Sequence, residues 1–358
     1  MKFSKLTGNF TFACIGVLFI FGLWSREEPD IIYVDEYISF TQMARLPLRN
    51  LPKEEAWQRA APHVMEISIP RDGKEPDQPA LWYDSGTDRQ KPLLLVLHSW
   101  SEDYQQHFGI PYAVFAEKND WIFIHPDFRG EFNNEEATAS EKAVRDVLLA
   151  LDYAETHASV DQSRIYMTGF SGGAMMSLIM AGRYPEKFTA VLAWVPVYDL
   201  NDWYDYLVPT PFSYTDDYQK DIEASCGGDP SRDEQAREEC RRRSPSAYLR
   251  NARGKEIRVF VSGGVEDPFV PPSHAVRAFN DLAREEDRIS EDDYRYIDEY
   301  KSLPEGLKGY EEEHPFFEEA GLPVIFMRES GNATIFLFDG GHDIVYNKGL
   351  KWLSEQQR

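Results

Sequence analysis

Cysteine is scarce in this chain: 358 residues hold three. Cys14 lies within an apolar stretch near the N-terminus, which leaves Cys226 and Cys240. Two cysteines are too few for a disulfide scaffold, and no cysteine–histidine spacing suggests zinc. No glycine-rich loop of the kind that cradles phosphates is present. No cofactor and no metal are expected. Basic residues are outnumbered, with 38 Lys and Arg against 61 Asp and Glu, a formal charge of −23. That balance excludes nucleic acid as an expected partner. No apolar run reaches the ~20 residues that a membrane span needs. The largely apolar stretch from Phe10 to Trp24 is about 15 residues long, preceded by Lys2 and Lys5 and followed by Arg26. Its length suits the core of a signal peptide, but no small-residue cleavage site follows. Residues 1–25 are therefore read as a signal peptide or an uncleaved anchor, and either puts the remainder outside the cytoplasm. Cys14 sits inside the stretch and not after it, which excludes a lipoprotein. Any membrane contact is expected only through that anchor. In an oxidising compartment Cys226 and Cys240 permit one disulfide; two buried thiols are the alternative.

What is present is more telling. Gly169-Phe170-Ser171-Gly172-Gly173 follows a short apolar run, Arg164 to Thr168, and precedes a run of small and apolar residues from Ala174 to Arg183. Strand, G-x-S-x-G and helix in that order predict a sharp turn with the Ser171 hydroxyl exposed at its tip. Side chains two positions either side of the serine would collide, which accounts for glycine at 169 and 173. The helix N-terminus then points free N–H groups at charge developing beside Ser171. A serine hydroxyl is a poor nucleophile unless a histidine removes its proton and a carboxylate orients that histidine.

Both partners have candidates downstream. The β-branched run Glu256 to Val261 leads into Ser262-Gly263-Gly264-Val265-Glu266-Asp267-Pro268, and a helix with Val276, Phe279 and Leu282 on one face follows. Asp267 is favoured over its neighbour Glu266 as the orienting acid, because Pro268 and the following turn should fix its direction. Ala333 to Phe338 is a further strand-like run, and it leads into Asp339-Gly340-Gly341-His342-Asp343. Of eight histidines, His342 is the one at a glycine turn after a strand late in the chain. His98 and His125 also end strands, but upstream of the serine, and are read as packed structural histidines. The order Ser, Asp, His is that of α/β-hydrolases.

The oxyanion pocket needs two backbone donors. Gly172 N–H should be one, and the loop His98-Ser99-Trp100-Ser101 after the run Pro92 to Leu97 should supply the other, from Ser99 or Trp100. Trp100 is either a core aromatic or a pocket wall; Trp194, Tyr198 and Phe269 are further pocket candidates.

These features resemble the catalytic domain of the prolyl oligopeptidase family within the α/β-hydrolase superfamily. The resemblance rests on His98-Ser99-Trp100, Asp127-Phe128-Arg129-Gly130, the Gly169–Gly173 pentapeptide, Asp267-Pro268-Phe269-Val270-Pro271 and Gly341-His342, and covers roughly residues 90–350. It implies a serine acyl-enzyme that hydrolyses esters or peptides. Oligopeptidases carry a β-propeller ahead of this domain; here about 90 residues precede Leu93, with no repeat of blade length. That departure favours an esterase, with acylated carbohydrate as the substrate class by analogy. An exported aminopeptidase or dipeptidase is the alternative. A binding protein that kept the fold should show damaged machinery, and all triad residue types are present.

The expected fold is α/β: a mostly parallel sheet with helices on both faces and a cap-like insertion. Strand runs near 93–97, 121–125, 164–168, 188–194, 256–262 and 333–338 alternate with helical stretches, which is βαβ grammar. Between the second and third of these, Thr138 and Glu141 form a capping box ahead of Val144, Val147, Leu148 and Leu151 at helical spacing. Residues 63–84 read as an antiparallel hairpin around Arg71-Asp72-Gly73 at the sheet edge. Residues 26–62 read as an N-terminal linker or edge segment and 63–358 as the hydrolase domain. The insertion 199–250, rich in Tyr, Trp, Asp and Arg, is a candidate cap over Ser171. The acidic insertion 284–322 reads as a solvated surface. The expected partner is a small-molecule, saccharide-ester or peptide substrate; oligomeric state is left open.

Overall fold

A computed structural model describes residues 31–358 apart from 34, 36, 37, 72, 74, 208–212 and 308–313, and apart from the side chains of 213–216. The expected signal or anchor segment, 1–25, lies outside the described residues. Among the described residues, no helix is long and apolar enough to cross a membrane.

Nine strands form one sheet: β1 (Met65–Ile69), β2 (Gln78–Tyr83), β3 (Lys91–Leu97), β4 (Ile122–Pro126), β5 (Val160–Phe170), β6 (Ala190–Trp194), β7 (Arg258–Gly264), β8 (Val324–Ser330) and β9 (Ala333–Phe338), in the order β1-β2-β4-β3-β5-β6-β7-β9-β8. The central pairs β4·β3, β3·β5, β5·β6, β6·β7 and β7·β9 are parallel. The expected hairpin is present, with β1 antiparallel to β2 at one edge. At the other edge the hairpin β8–β9 was not anticipated. Its signal was Ser330-Gly331-Asn332 between two apolar runs, a two-residue connection with Gly331 at φ +60°.

The central strands are apolar throughout because both faces are covered. Leu93, Leu95 and Leu97 of β3 pack into one core, while Leu94 and Val96 pack into the other. Val259 and Val261 likewise oppose Phe260 in β7. The first core holds the helix Gly172–Arg183 and the second the helix Ile110–Asn119.

One expectation on local structure is corrected. The helix Glu141–His157 is capped by Ser140, whose Oγ accepts from Ala143 N, and not by a box of Thr138 and Glu141. Thr138 sits at φ +45°, its hydroxyl paired with Ser225 at 2.7 Å, and Glu141 binds Arg183. Two positive-φ residues before the cap let the chain turn into the helix later than the motif suggested. Residues 31–62, the described part of the segment read as a linker or edge, pack on the domain. Phe40 N–H donates to Ile344 O, Thr41 N–H to Asp343, and the Phe40 ring lies 5.0 Å from that of Phe170. Met43 and Trp57 are buried in the second core.

Candidate active site

Strand register brings the loops to one edge. Leu97, Gly169, Ala193, Val261 and Ile335 are successive neighbours across five parallel strands. The segments that follow, 98–100, 170–173, 195–198, 263–267 and 339–342, therefore emerge together at the carboxyl ends of the strands. Ligands of open α/β sheets bind at that edge.

Ser171 occupies the tip of the turn at φ +56°, ψ −116°, a conformation that a non-glycine residue adopts only when its surroundings impose it. Ser171 N–H donates to Trp194 O at 2.9 Å. A Cβ at Gly169 would lie 2.3 Å from Gly173 C, and one at Gly173 would lie 2.1 Å from Leu97 O. Glycine is required at both positions by contact, as the motif implied.

The other two candidates meet directly. His342 Nδ1 is 2.6 Å from Asp267 Oδ2. Asp267 Oδ1 accepts from Phe269 N and Val270 N at 2.8 and 3.0 Å, so the turn after Pro268 aims the carboxylate. The neighbouring Glu266 is exposed. The two loops are joined through main chain: Glu266 N–H donates to Gly340 O, and a Cβ at Gly264 would lie 2.1 Å from Gly341 O. The His342 ring sits between Phe170 at 4.7 Å and Phe269 at 5.3 Å. His342 thus packs on the residue preceding Ser171. Among the described residues, no hydrogen bond joins Ser171 Oγ to the imidazole. Such contacts are commonly loose before a substrate is bound.

The oxyanion candidates separate. Gly172 N–H belongs to the first turn of its helix, where no intrahelical acceptor exists. Ser99 N–H is taken by Gln106 Oε1 at 2.8 Å, which removes Ser99 as a donor to the site. Trp100 N is the nearer group: it would lie 2.9 Å from a Cβ placed on Gly172.

The Trp100 ring is buried, at 4.9 Å from Trp203 and 5.3 Å from Phe132, and its Nε1 donates to Asp221 Oδ2 at 3.0 Å. Burial raises the Asp221 carboxyl above its ordinary value. Trp203 Nε1 donates to Phe269 O at 2.9 Å. The insertion therefore rests on both flanks of the site, through Trp100 and Phe269. Within it, Cys226 and Cys240 form a disulfide.

Phe269 stands beside His342, but the other pocket candidates do not line the site. Trp194 faces the second core, fully buried, with Phe260 at 5.5 Å and Phe317 at 6.4 Å. Strand alternation turned it to the face opposite the serine helix. Tyr198 is buried with its hydroxyl on Asp281, its N–H on His274 Nδ1 and Arg277 over its ring. His98 and His125 are packed histidines as expected. His98 contacts the carbonyls of Ser99 and Asp127 at 3.0 and 2.6 Å, and His125 contacts Tyr104 O. Among the described residues, no group of three or more His, Cys, Asp or Glu is placed to hold a metal ion. Sequence reasoning missed Gln106, Phe170 and Phe40. None carries a local signal, because each acts through a neighbour brought in by folding.

A largely parallel sheet with a strained serine elbow on its carboxyl edge is an α/β-hydrolase, and the chain is a serine hydrolase, esterase or peptidase. Residues 106–295, more than half of the chain, match the prolyl oligopeptidase family, and the chain belongs to that family. Acetylxylan esterase A of Emericella nidulans is 29% identical over 113 residues, covering 29% of this chain and 37% of that protein. Feruloyl esterase B of Talaromyces funiculosus is 28% identical over 109 residues, covering 28% of this chain and 31% of that protein. The matched segments thus span about a third of these relatives' length. The crystal structure of a candidate dipeptidyl aminopeptidase IV from Bacteroides ovatus superposes with a TM-score of 0.52 at 14% identity, covering 82% of this chain and 36% of that one.

Proposed function

We propose that the chain is a carboxylic-ester hydrolase working through Ser171, His342 and Asp267, with acylated carbohydrate as its substrate class. The observation that carries this reading is the 2.6 Å contact between His342 and Asp267, held at the edge where Ser171 is presented. Ser171 Oγ attacks the ester carbonyl as its proton passes to His342 Nε2. Asp267 holds Nδ1–H and with it the tautomer. The N–H groups of Gly172 and Trp100 receive the negative charge that forms on the carbonyl oxygen. The tetrahedral intermediate expels the alcohol, which takes the proton from Nε2, and leaves an acyl-Ser171. Water attacks that ester with His342 again as base, releasing the acid and restoring the hydroxyl. The insertion 199–250 acts as a cap beside Ser171, its contacts with Trp100 and Phe269 supporting that role.

The esterase relatives support ester over peptide chemistry, and the disulfide supports work outside the cytoplasm. Membership of an oligopeptidase family favours a second reading, an exported aminopeptidase or dipeptidase. Replacing Ser171 with Ala should lower turnover by several orders of magnitude, abolish fluorophosphonate labelling and leave the melting temperature nearly unchanged. Retained hydrolysis would sink the assignment. Rates on acetylated and feruloylated saccharides against aminoacyl anilides separate the two substrate readings.

A further inference from the structure

Ser99 is held at three atoms. Gln106 Oε1 accepts its N–H at 2.8 Å, Gln106 Nε2 donates to its Oγ at 2.7 Å, and His98 Nδ1 stands 3.0 Å from its carbonyl oxygen. The Gln106 side chain is buried, 5% exposed, and both ends of its amide are spent on this one residue. The carbonyl of Ser99 and the N–H of Trp100 belong to a single planar peptide unit. Fixing Ser99 on both sides of its Cα therefore fixes the direction of Trp100 N–H. On the far side, Trp100 O accepts from Phe132 N at 2.8 Å. The loop lies directly against the elbow, since a Cβ at Gly172 would meet Trp100 N at 2.9 Å and Trp100 Cα at 3.0 Å.

The geometry points to Gln106 as a positioning residue for the oxyanion pocket: its amide withdraws Ser99 N–H from the site and aims Trp100 N–H into it. The inference rests on Ser171 being the nucleophile, as proposed above. Gln106 has a firm base for this task. Its carbonyl accepts Gly109 N–H at 3.1 Å, in the short turn that leads into the helix Ile110–Asn119. The clamp thus ties the pocket to a helix packed in the second core. Its loss would leave Ser99 N–H a buried donor without an acceptor, free to turn toward the site and carry the Ser99–Trp100 peptide with it.

An oxyanion donor acts on the charge that exists in the transition state, so misaiming it lowers kcat more than it raises KM. The test is kcat and KM for Gln106→Met on a short acyl nitrophenyl ester, with active molecules counted by complete fluorophosphonate labelling. A boronic acid, whose adduct with Ser171 mimics the tetrahedral anion, is titrated in parallel. The expected result is a fall in kcat of roughly 10- to 100-fold, less than or near the loss of a whole donor, with KM within about twofold. Boronate affinity should fall in proportion to kcat. Unchanged kcat in Gln106→Met overturns the inference. So does a fall in kcat with boronate affinity intact. If Gln106→Met does not fold, Gln106→Asn, which shortens the amide out of reach, is measured in the same way. Ser171→Ala is run alongside. If it stays active the nucleophile assignment fails; if it is inactive while Gln106→Met is fully active, only the clamp fails.

Discussion

The edge that carries Ser171, Asp267 and His342 and the insertion that flanks it are held together by different means. At the edge the closest contacts are main chain against main chain. Gly173 sits where a Cβ would be 2.1 Å from Leu97 O, and Gly264 where one would be 2.1 Å from Gly341 O. The insertion is held by side chains. Arg243 reaches the carbonyls of Glu135, Ala137 and Thr138 at 2.9, 3.0 and 3.3 Å, Tyr204 donates to Glu223 at 2.6 Å, and a disulfide joins the helix Ser213–Cys226 to the helix Glu234–Arg242. The turns of the edge are thus set by backbone geometry that admits no larger residue, with side chains such as Asp267 and Gln106 aiming the groups they carry, and the insertion by side chains that can be exchanged one at a time. A family can keep the first and vary the second, which is how one fold serves many substrates.

The sharpest way to break this contrast is to alter the edge without altering its packing. Asp267→Asn keeps an Oδ1 acceptor for the N–H groups of Phe269 and Val270 but disturbs the hold on Nδ1–H of His342. Turnover should fall about 10⁴-fold while the melting temperature barely moves. A loss under tenfold in steady-state assays would mean that the edge is not where the chemistry is set. The insertion should respond in the opposite way. Replacing Cys226 and Cys240 together with Ser should lower unfolding free energy by about 3 kcal/mol in denaturant titrations. It should raise KM more than it lowers kcat; an equal fall in kcat would show that the insertion also holds the catalytic groups.

A pH dependence is shared by the two regions. His125 lies on the edge side, in contact with Tyr104 O, and His274 holds Tyr198 N–H where the chain enters the insertion. Burial pushes both imidazoles from the ordinary 6.5 down to about 3. Between those values the unfolded chain binds protons that the folded one refuses. The stability contributed is therefore complete above about pH 6.5 and is lost as pH falls toward 3, by roughly 1 kcal/mol per pH unit for each group. Melting temperatures taken from pH 7.5 to 5 should decline. Replacing His274 with Gln should flatten the slope by about half; an unchanged slope would place the titrating groups elsewhere.

Much of the edge was legible before folding, because its parts carry local constraints. The elbow needs glycines at 169 and 173, and the acid needs a turn such as the one after Pro268. Short unbroken apolar runs, with both faces covered, mark the central strands. The strand Val324–Ser330 was passed over, beside the acidic run that precedes it. The capping box misled because Thr138 and Ala139 both adopt positive φ, which no local pattern announced. Trp194 and Tyr198 are aromatic residues beside the right strand end, yet which face each one takes depends on strand alternation and on the partners Phe260 and Asp281. The N-terminal segment offered no sign that Phe40 would pack on Phe170, a contact between residues far apart in the chain.

By itself the sequence determined the class of chemistry and the order of its parts, since a serine elbow, a glycine-bounded histidine and an acid before proline each depend on a few neighbouring residues. Only the tertiary structure decided that Trp100 and not Ser99 faces the elbow, that Gln106 holds the loop, and that the insertion rests on Trp100 and Phe269. Those outcomes depend on contacts between segments whose proximity is created by strand register and core packing, which no local window contains.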